Sequence, residues 1–121
     1  MFQQDWLMRQ IQMLSQFVAK LIFKKDAIKY EITNELNLTR TDLLYGALRE
    51  LLLKSEICEA ENLLFDNYED SEEYLKLAVD FYDSLNKMDD AELEAGNFSR
   101  EEIREGLSEL LRRYGITFPD V

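Results

Sequence analysis

The chain has 121 residues, 46% apolar and 12% aromatic, which is enough material for a hydrophobic core and argues against disorder. One proline and four glycines are too few for the frequent turns of an all-β fold. The net charge of −11 disfavours general binding to nucleic acid, because an acidic surface repels phosphate backbones. We therefore predict a single all-α domain over residues 1–121.

Residue types that carry most metal and nucleophilic chemistry are scarce in this chain. It has no histidine and one cysteine, Cys58, so neither the usual zinc-ligand sets nor an internal disulfide can form. With acidic neighbours, Cys58 is expected to be a buried or half-buried, inert thiol. The four glycines are too scattered for a phosphate-binding loop. We predict no catalytic residue, no cofactor and no metal, and the lone thiol favours a reducing, cytoplasmic location.

The first predicted helix, Gln3 to Lys25, is long, apolar on one face and basic. Spacings of four and three residues place one set of side chains on a single face, namely Leu7, Ile11, Leu14, Val18 and Leu21. A second set widens that face: Trp6, Met13, Phe17 and Ile22. No acidic residue lies between Trp6 and Lys25, although residues 31–121 carry 23 acidic and nine basic groups. The apolar face is thus wider than a two-stranded coiled coil needs.

Three interpretations of this helix stay open. It is a core helix whose basic residues face carboxylates of the acidic body, or an interface for a protein partner or a second copy, or an attachment to a membrane surface. For the interface, the candidate partner-binding residues are Trp6, Met13, Phe17, Lys20 and Lys24.

The middle of the chain predicts three more helices. A short second helix is expected over residues 26–36. Thr39 with Asp42 forms a capping pattern, with Thr41 as a competing N-cap, before an apolar run, Leu43 to Leu53, that we expect to be buried on most sides. Ser55 is the expected N-cap of a helix reaching Phe65, and the short gap predicts an antiparallel hairpin.

The remaining helices are marked by capping residues and small residues. They are expected over Ser71 to Lys87, Asp89 to Glu94, and Ser99 to Arg113. Ser99 with Glu102 forms a capping box, and Gly115 occupies the position of a left-handed helix end. Gly46 and Gly106 fall inside helices, where glycine costs about 1 kcal/mol relative to alanine, and this predicts a close helix crossing at each.

The segment Thr41 to Phe65 resembles the helical hairpin of a tetratricopeptide repeat. With Ala60 at the small position of the repeat, three of its large positions and its turn are matched by Leu44, Leu51, Leu64, Lys54 and Ser55. The glycine and proline of the repeat are replaced by Leu48 and Glu72. The resemblance implies one degenerate repeat unit with flanking helices.

As a whole, the chain resembles a small family of uncharacterised proteins from Gram-positive, gut-type bacteria. The resemblance rests on the opening Asp5-Trp6-Leu7-Met8-Arg9-Gln10-Ile11 and on the ending Phe98-Ser99-Arg100-Glu101-Glu102-Ile103 through Arg113-Tyr114-Gly115-Ile116. It implies a helical, repeat-like fold and offers no known activity.

These observations predict an array of about five to seven helices, in which antiparallel hairpins stack as a short, degenerate tetratricopeptide-like array along the long first helix. The leading functional prediction is a non-catalytic interaction module that binds a protein partner or itself. The alternative is a peripheral membrane protein held by its first helix. A third class, an enzyme that uses carboxylates or tyrosines in a pocket between helices, has no assignable pair of groups. No small-molecule ligand can be inferred.

Overall fold

Helices account for most of the computed structural model, which describes residues 2–116 and the side chains of residues 4–116. The helices are α1 (Phe2–Val18), α2 (Arg40–Leu53), α3 (Ile57–Asp66), α4 (Glu72–Asn86), α5 (Asp90–Ala95) and α6 (Arg100–Arg113). A π-helical turn, Ala19–Phe23, continues α1. The prediction of an all-α fold is confirmed, and so is the expected number of helices in the described part of the chain.

Capping residues begin four of these helices where the sequence predicts them. The side chains of Thr39, Ser71, Asp89 and Ser99 each accept a hydrogen bond from the backbone N–H three residues on. The prediction for Ser55 is wrong, because α3 has Glu56 at its N-cap. Ser55 instead has a φ of 60°, and its backbone N–H donates to the carbonyl of Leu52. The backbone N–H of Glu56 donates to the carbonyl of Leu51. Ser55 therefore terminates α2 in a Schellman motif.

The same motif ends α6, as the sequence predicts. Gly115 has a φ of 72°, and its N–H donates to the carbonyl of Arg112, while the N–H of Ile116 donates to that of Leu111. At the end of α5 the left-handed residue is Asn97, with a φ of 54°, and not the neighbouring Gly96.

The central helix of the fold is α4, against which α1, α2 and α6 pack. Its predicted inner face is confirmed, since all of its members are buried: Tyr74, Leu75, Ala78, Phe81, Tyr82 and Leu85. Leu77 and Val79 are buried as well, so α4 is enclosed on most sides. The prediction that helix α2 is buried on most sides is wrong, because Leu43 and Leu53 are exposed. Helix α2 packs mainly on α3 and α4, and part of its apolar surface stays exposed.

Residues 24–39 form an irregular strap, and the helix predicted over residues 26–36 is absent. Ile28 and Tyr30 are both buried, two residues apart, which is the spacing of extended chain. The hydroxyl of Tyr30 donates to Asp42 at 2.5 Å, and its N–H donates to Asp80 at 3.1 Å. The backbone N–H of Tyr30 thus bonds to a distant carboxylate and not to the carbonyl that a helix would offer. A further expectation is wrong too, because Cys58 is exposed on α3.

Tyr30→Phe is expected to lower the Tm by roughly 5 °C, because it removes one hydrogen bond to a buried carboxylate in a small domain. The N–H of Thr39 and the hydroxyl of Tyr30 together lower the pKa of Asp42. A lowered carboxyl pKa stabilises the fold above the ordinary value of 3.8 and loses that effect as the pH falls through the folded pKa.

The deficit of the Tyr30→Phe variant should therefore shrink in strong acid, as measured by urea unfolding at several pH values. Tyr45→Phe is the matched control, because the ring of Tyr45 lies 5.0 Å from that of Tyr30. Equal loss of stability in both variants would contradict the role of the hydroxyl.

Candidate interaction surface

The five predicted partner-binding residues lie on α1, on its π-helical continuation and just after it, and we call this set the α1 stripe: Trp6, Met13, Phe17, Lys20 and Lys24. Spacings of seven and four residues place the first three side chains on one face of the helix. All five residues are exposed, and the exposed fractions of Trp6, Met13 and Phe17 are 44%, 56% and 41%. The structure thus leaves each of the predicted residues at the surface.

The opposite face of α1 is fixed in the hydrophobic core. It contributes Leu7, Ile11, Leu14, Val18 and Ala19. Two polar contacts add to this packing: Arg104 of α6 donates to Gln10 at 3.2 Å, and Asn86 of α4 donates to the carbonyl of Met8 at 3.0 Å. Helix α1 is therefore a core helix on one face, as the first interpretation expected, and an apolar surface on another.

The basic residues of α1 do not pair with the acidic body. Ion pairs within the described residues involve none of Arg9, Lys20, Lys24 and Lys25. Lys20, Lys24 and Lys25 lie at the π-helical turn or just after it, and all four basic residues are exposed. Their charges remain available to an acidic surface.

The π-helical turn also corrects the prediction for Leu21. An α-helical register would place Leu21 on the core face, but its side chain is exposed. Each hydrogen bond of a π-helix spans one residue more than that of an α-helix. Ala19 is therefore buried directly after Val18, and the side chains that follow are shifted around the helix toward the surface. Leu21 therefore extends the apolar part of the α1 stripe. No periodicity in the sequence marks this shift.

A second exposed surface, the acidic turn of residues 31–38, was missed because a helix was expected there. All eight residues are exposed, and among them Leu36 is 98% exposed. The N–H of Leu36 donates to the side chain of Asn34 at 3.0 Å, and the N–H of Asn37 donates to the carbonyl of Asn34 at 3.2 Å. Two asparagines around one leucine are a turn signature that could have revealed this feature.

A polar groove runs between α1 and α4. Its larger part is a cavity of about 470 Å³, and its lining includes Asp5, Arg9, Gln12 and Lys87. An adjoining cavity of about 110 Å³ reaches Ser15, whose buried hydroxyl has no hydrogen-bond partner among the described atoms. Lys87 already pairs with Asp83 at 3.0 Å. The groove is thus open and of mixed charge.

The carboxylate–tyrosine pair most relevant to the enzyme alternative joins Glu61 of α3 to Tyr82 of α4. The hydroxyl of Tyr82 donates to Glu61 at 2.7 Å. Burial raises the pKa of Glu61, and the nearby carboxylates of Glu102 and Glu105 raise it further. Burial also raises the pKa of Tyr82, whose side chain is fully enclosed. The pair ties α3 to α4 in the core. Within the described residues, no group of three or more metal-binding side chains is gathered.

Replacing Glu61 by glutamine should change the pH dependence of stability. A carboxyl whose pKa is raised on folding destabilises the protein above the folded pKa, and this penalty disappears as the pH falls toward the ordinary value of 4.5. Wild type should therefore gain stability relative to Glu61→Gln between neutral pH and about pH 4.5. Urea unfolding of both proteins measures the difference. Glu59→Gln, at an exposed position of the same helix, should leave the profile unchanged.

Comparison with known proteins gives one family match. The model of a protein family described as "Family of unknown function (DUF6483)" matches residues 1–115. No curated protein and no solved structure matches the chain. None of the helices in the described residues combines the length and the apolar character that crossing a membrane requires.

Proposed function

Because the chain belongs to DUF6483, a family of unknown function, we propose its function from its surface: it is a non-catalytic interaction module that binds protein through the α1 stripe. The observation that carries this proposal is the exposure of Trp6 and Met13 on a helix whose other face is fixed in the core. Burying a large apolar side chain is worth about 1.5–3 kcal/mol, so a partner that covers both gains substantial free energy.

The residue types of the α1 stripe support the same proposal. Aromatic residues and methionine are enriched in protein interfaces, and tryptophan is among the residues that dominate binding energy. Lys20 and Lys24 add positive charge at one end of the stripe, with no acidic side chain between Trp6 and Lys25. A partner with acidic groups beside an apolar patch would complement this surface, and the charges would select it and orient it.

The proposal also covers the kind of helical hairpin in the chain and the cell in which the protein works. We include in it a tetratricopeptide-like character for the hairpin of α2 and α3, supported by the complete burial of Ala60 at the small position of the repeat and of Leu64 at a large one. We also include a cytoplasmic location in a Gram-positive bacterium, supported by the lone thiol and by the resemblance of the two chain ends.

Met13→Glu tests the proposal, because position 13 is exposed and the substitution places a charge in the middle of the α1 stripe. Protein retained from a lysate of the source organism by the wild-type chain should be lost with this variant. Leu43→Glu, at an exposed leucine on α2, is the matched control and should retain it. Circular dichroism confirms that both variants fold. Identical retention by wild type and Met13→Glu would overturn the proposal.

The alternative is attachment to a membrane surface through the same stripe. It is favoured by the combination of exposed apolar residues and cations on one helix, which anionic lipid attracts. Sedimentation with anionic vesicles at low salt tests it, with neutral vesicles as the control. Binding to anionic vesicles that disappears in Met13→Glu would assign the stripe to a membrane, and failure of wild type to sediment would dispose of this alternative.

A further inference from the structure

The strap between α1 and α2 presents the acidic turn in a fixed shape. Tyr30 anchors one side of the turn through Asp42 and Asp80, and Thr39 anchors the other through the capping box with Asp42. The two hydrogen bonds around Asn34 close the turn itself. A long segment without regular structure is uncommon in a compact domain and is often a binding loop. Fixing its shape beforehand reduces the entropy lost on binding.

The chemistry of the acidic turn is opposite to that of the α1 stripe. The turn carries two carboxylates, Glu31 and Glu35, and no basic residue. Its exposed apolar side chains are Ile32, Leu36 and Leu38. The stripe carries exposed apolar side chains and two lysines, with no acidic residue. One chain therefore presents two exposed surfaces that are complementary in charge and both apolar.

Within one copy neither surface covers the other, because the stripe and the acidic turn are both exposed. Two copies supply both halves of the contact. If the acidic turn of each copy lies on the α1 stripe of the other, the two copies form a closed, two-fold dimer with two equivalent contacts. The lysines of one copy then lie beside carboxylates of the other, which limits repulsion between bodies of net charge −11.

We infer that the partner of the α1 stripe is a second copy of this chain, and that the segment seated on the stripe is the acidic turn. The inference rests on the proposed function, since it names the occupant of the same surface. Leu36 and its apolar neighbours contact the apolar part of the stripe, and Glu31 and Glu35 pair with Lys20 and Lys24.

A charge-exchange experiment on the full chain tests the inference. The turn variant carries Glu31→Lys with Glu35→Lys, and the stripe variant carries Lys20→Glu with Lys24→Glu. Solution mass is measured by light scattering over a concentration series at low salt. Wild type should form a dimer. For each variant alone, the dissociation constant of the dimer should rise at least about tenfold, because like charges meet at both contacts.

Mixing the two variants provides the decisive arm. In the mixture, each turn meets a stripe of opposite charge, so association should return to near the wild-type level. Glu59→Lys with Glu94→Lys, which reverses two exposed carboxylates on α3 and α5, is the control and should associate like wild type. Raising the ionic strength from about 0.05 M to about 1 M should weaken wild-type association, since exposed charges are screened.

Two results would overturn the inference, and they differ from failure of the proposed function. Wild type that stays monomeric throughout the series overturns self-association, while a protein retained by wild type and lost in Met13→Glu would still support an interaction module. Association that both charge variants retain, and that Met13→Glu abolishes, would place a different segment on the stripe. If a variant loses its helical circular dichroism, Leu36→Ser replaces the turn variant and should weaken association.

Discussion

Arg100→Ala should lower the free energy of unfolding by at least about 3 kcal/mol, the largest loss we expect from a single polar side chain here. The side chain of Arg100 is 3% exposed. Its guanidinium donates to the carbonyl of Asn86 at 2.9 Å and to that of Met88 at 2.6 Å, and it also reaches Asp90 at 3.3 Å. It thereby satisfies carbonyls at the C-terminal end of α4, where no intrahelical donor is available.

The loss follows from what the alanine leaves behind. One buried and one partly buried carbonyl would lose charged donors, each worth about 1.5–3 kcal/mol, and a cavity would remain in place of the side chain. Asn86, which also donates to α1, would lose its link to α6. Urea unfolding measures the change. Arg112→Ala, at an exposed position of the same helix, is the control and should stay within about 0.5 kcal/mol of wild type. Equal effects in both variants would contradict the role of burial.

Gly106→Ala and Gly46→Ala should change stability in opposite directions, although both glycines lie inside helices. A Cβ at position 106 would meet the carboxylate of Glu61 and the hydroxyl of Tyr82, and would lie 2.7 Å from Cε1 of Tyr82. Position 46 has no atom within 4 Å of the added carbon. Gly106 therefore makes room for the side chains of Glu61 and Tyr82, whereas the close crossing predicted for Gly46 is wrong.

The expected magnitudes follow from two effects of opposite sign. Alanine gains about 1 kcal/mol over glycine in a helix interior, and this gain should appear undiminished for Gly46→Ala. At position 106 overpacking costs about 1–3 kcal/mol, and the hydrogen bond between Tyr82 and Glu61 must also be displaced. We expect a net loss of about 2 kcal/mol for Gly106→Ala, measured by urea unfolding. Stabilisation of both variants would show that Tyr82 moves aside without penalty.

The candidate surface was only partly predictable from sequence. The sequence assigns Trp6, Met13 and Phe17 to a wide apolar face that must meet either a core or a partner, and it cannot choose between them. Whether a face of α1 is core or surface depends on where its neighbours α4 and α6 pack. They pack on the side of Leu7 and Ile11. Interpreting residues 26–36 as a helix hides the acidic turn, although Asn34 and Asn37 are turn-forming residues.

The sequence by itself determined the features that depend on neighbours within about five residues. Capping at Thr39, Ser71, Asp89 and Ser99, the Schellman end at Gly115, and the inner face of α4 are all of this kind. Each results from a backbone hydrogen bond or a helical repeat that closes within one or two turns, so the local residue types suffice.

Only the tertiary structure decided the features that depend on distant parts of the chain. The strap is extended because Tyr30 finds Asp80, fifty residues away, and Leu21 is exposed because a π-helical turn shifts the register at the end of α1. Helix α2 is apolar yet partly exposed, because burial depends on how many helices surround an element and not on its own composition. The same limit applies to function: sequence proposed the residues of the α1 stripe, and packing left them at the surface.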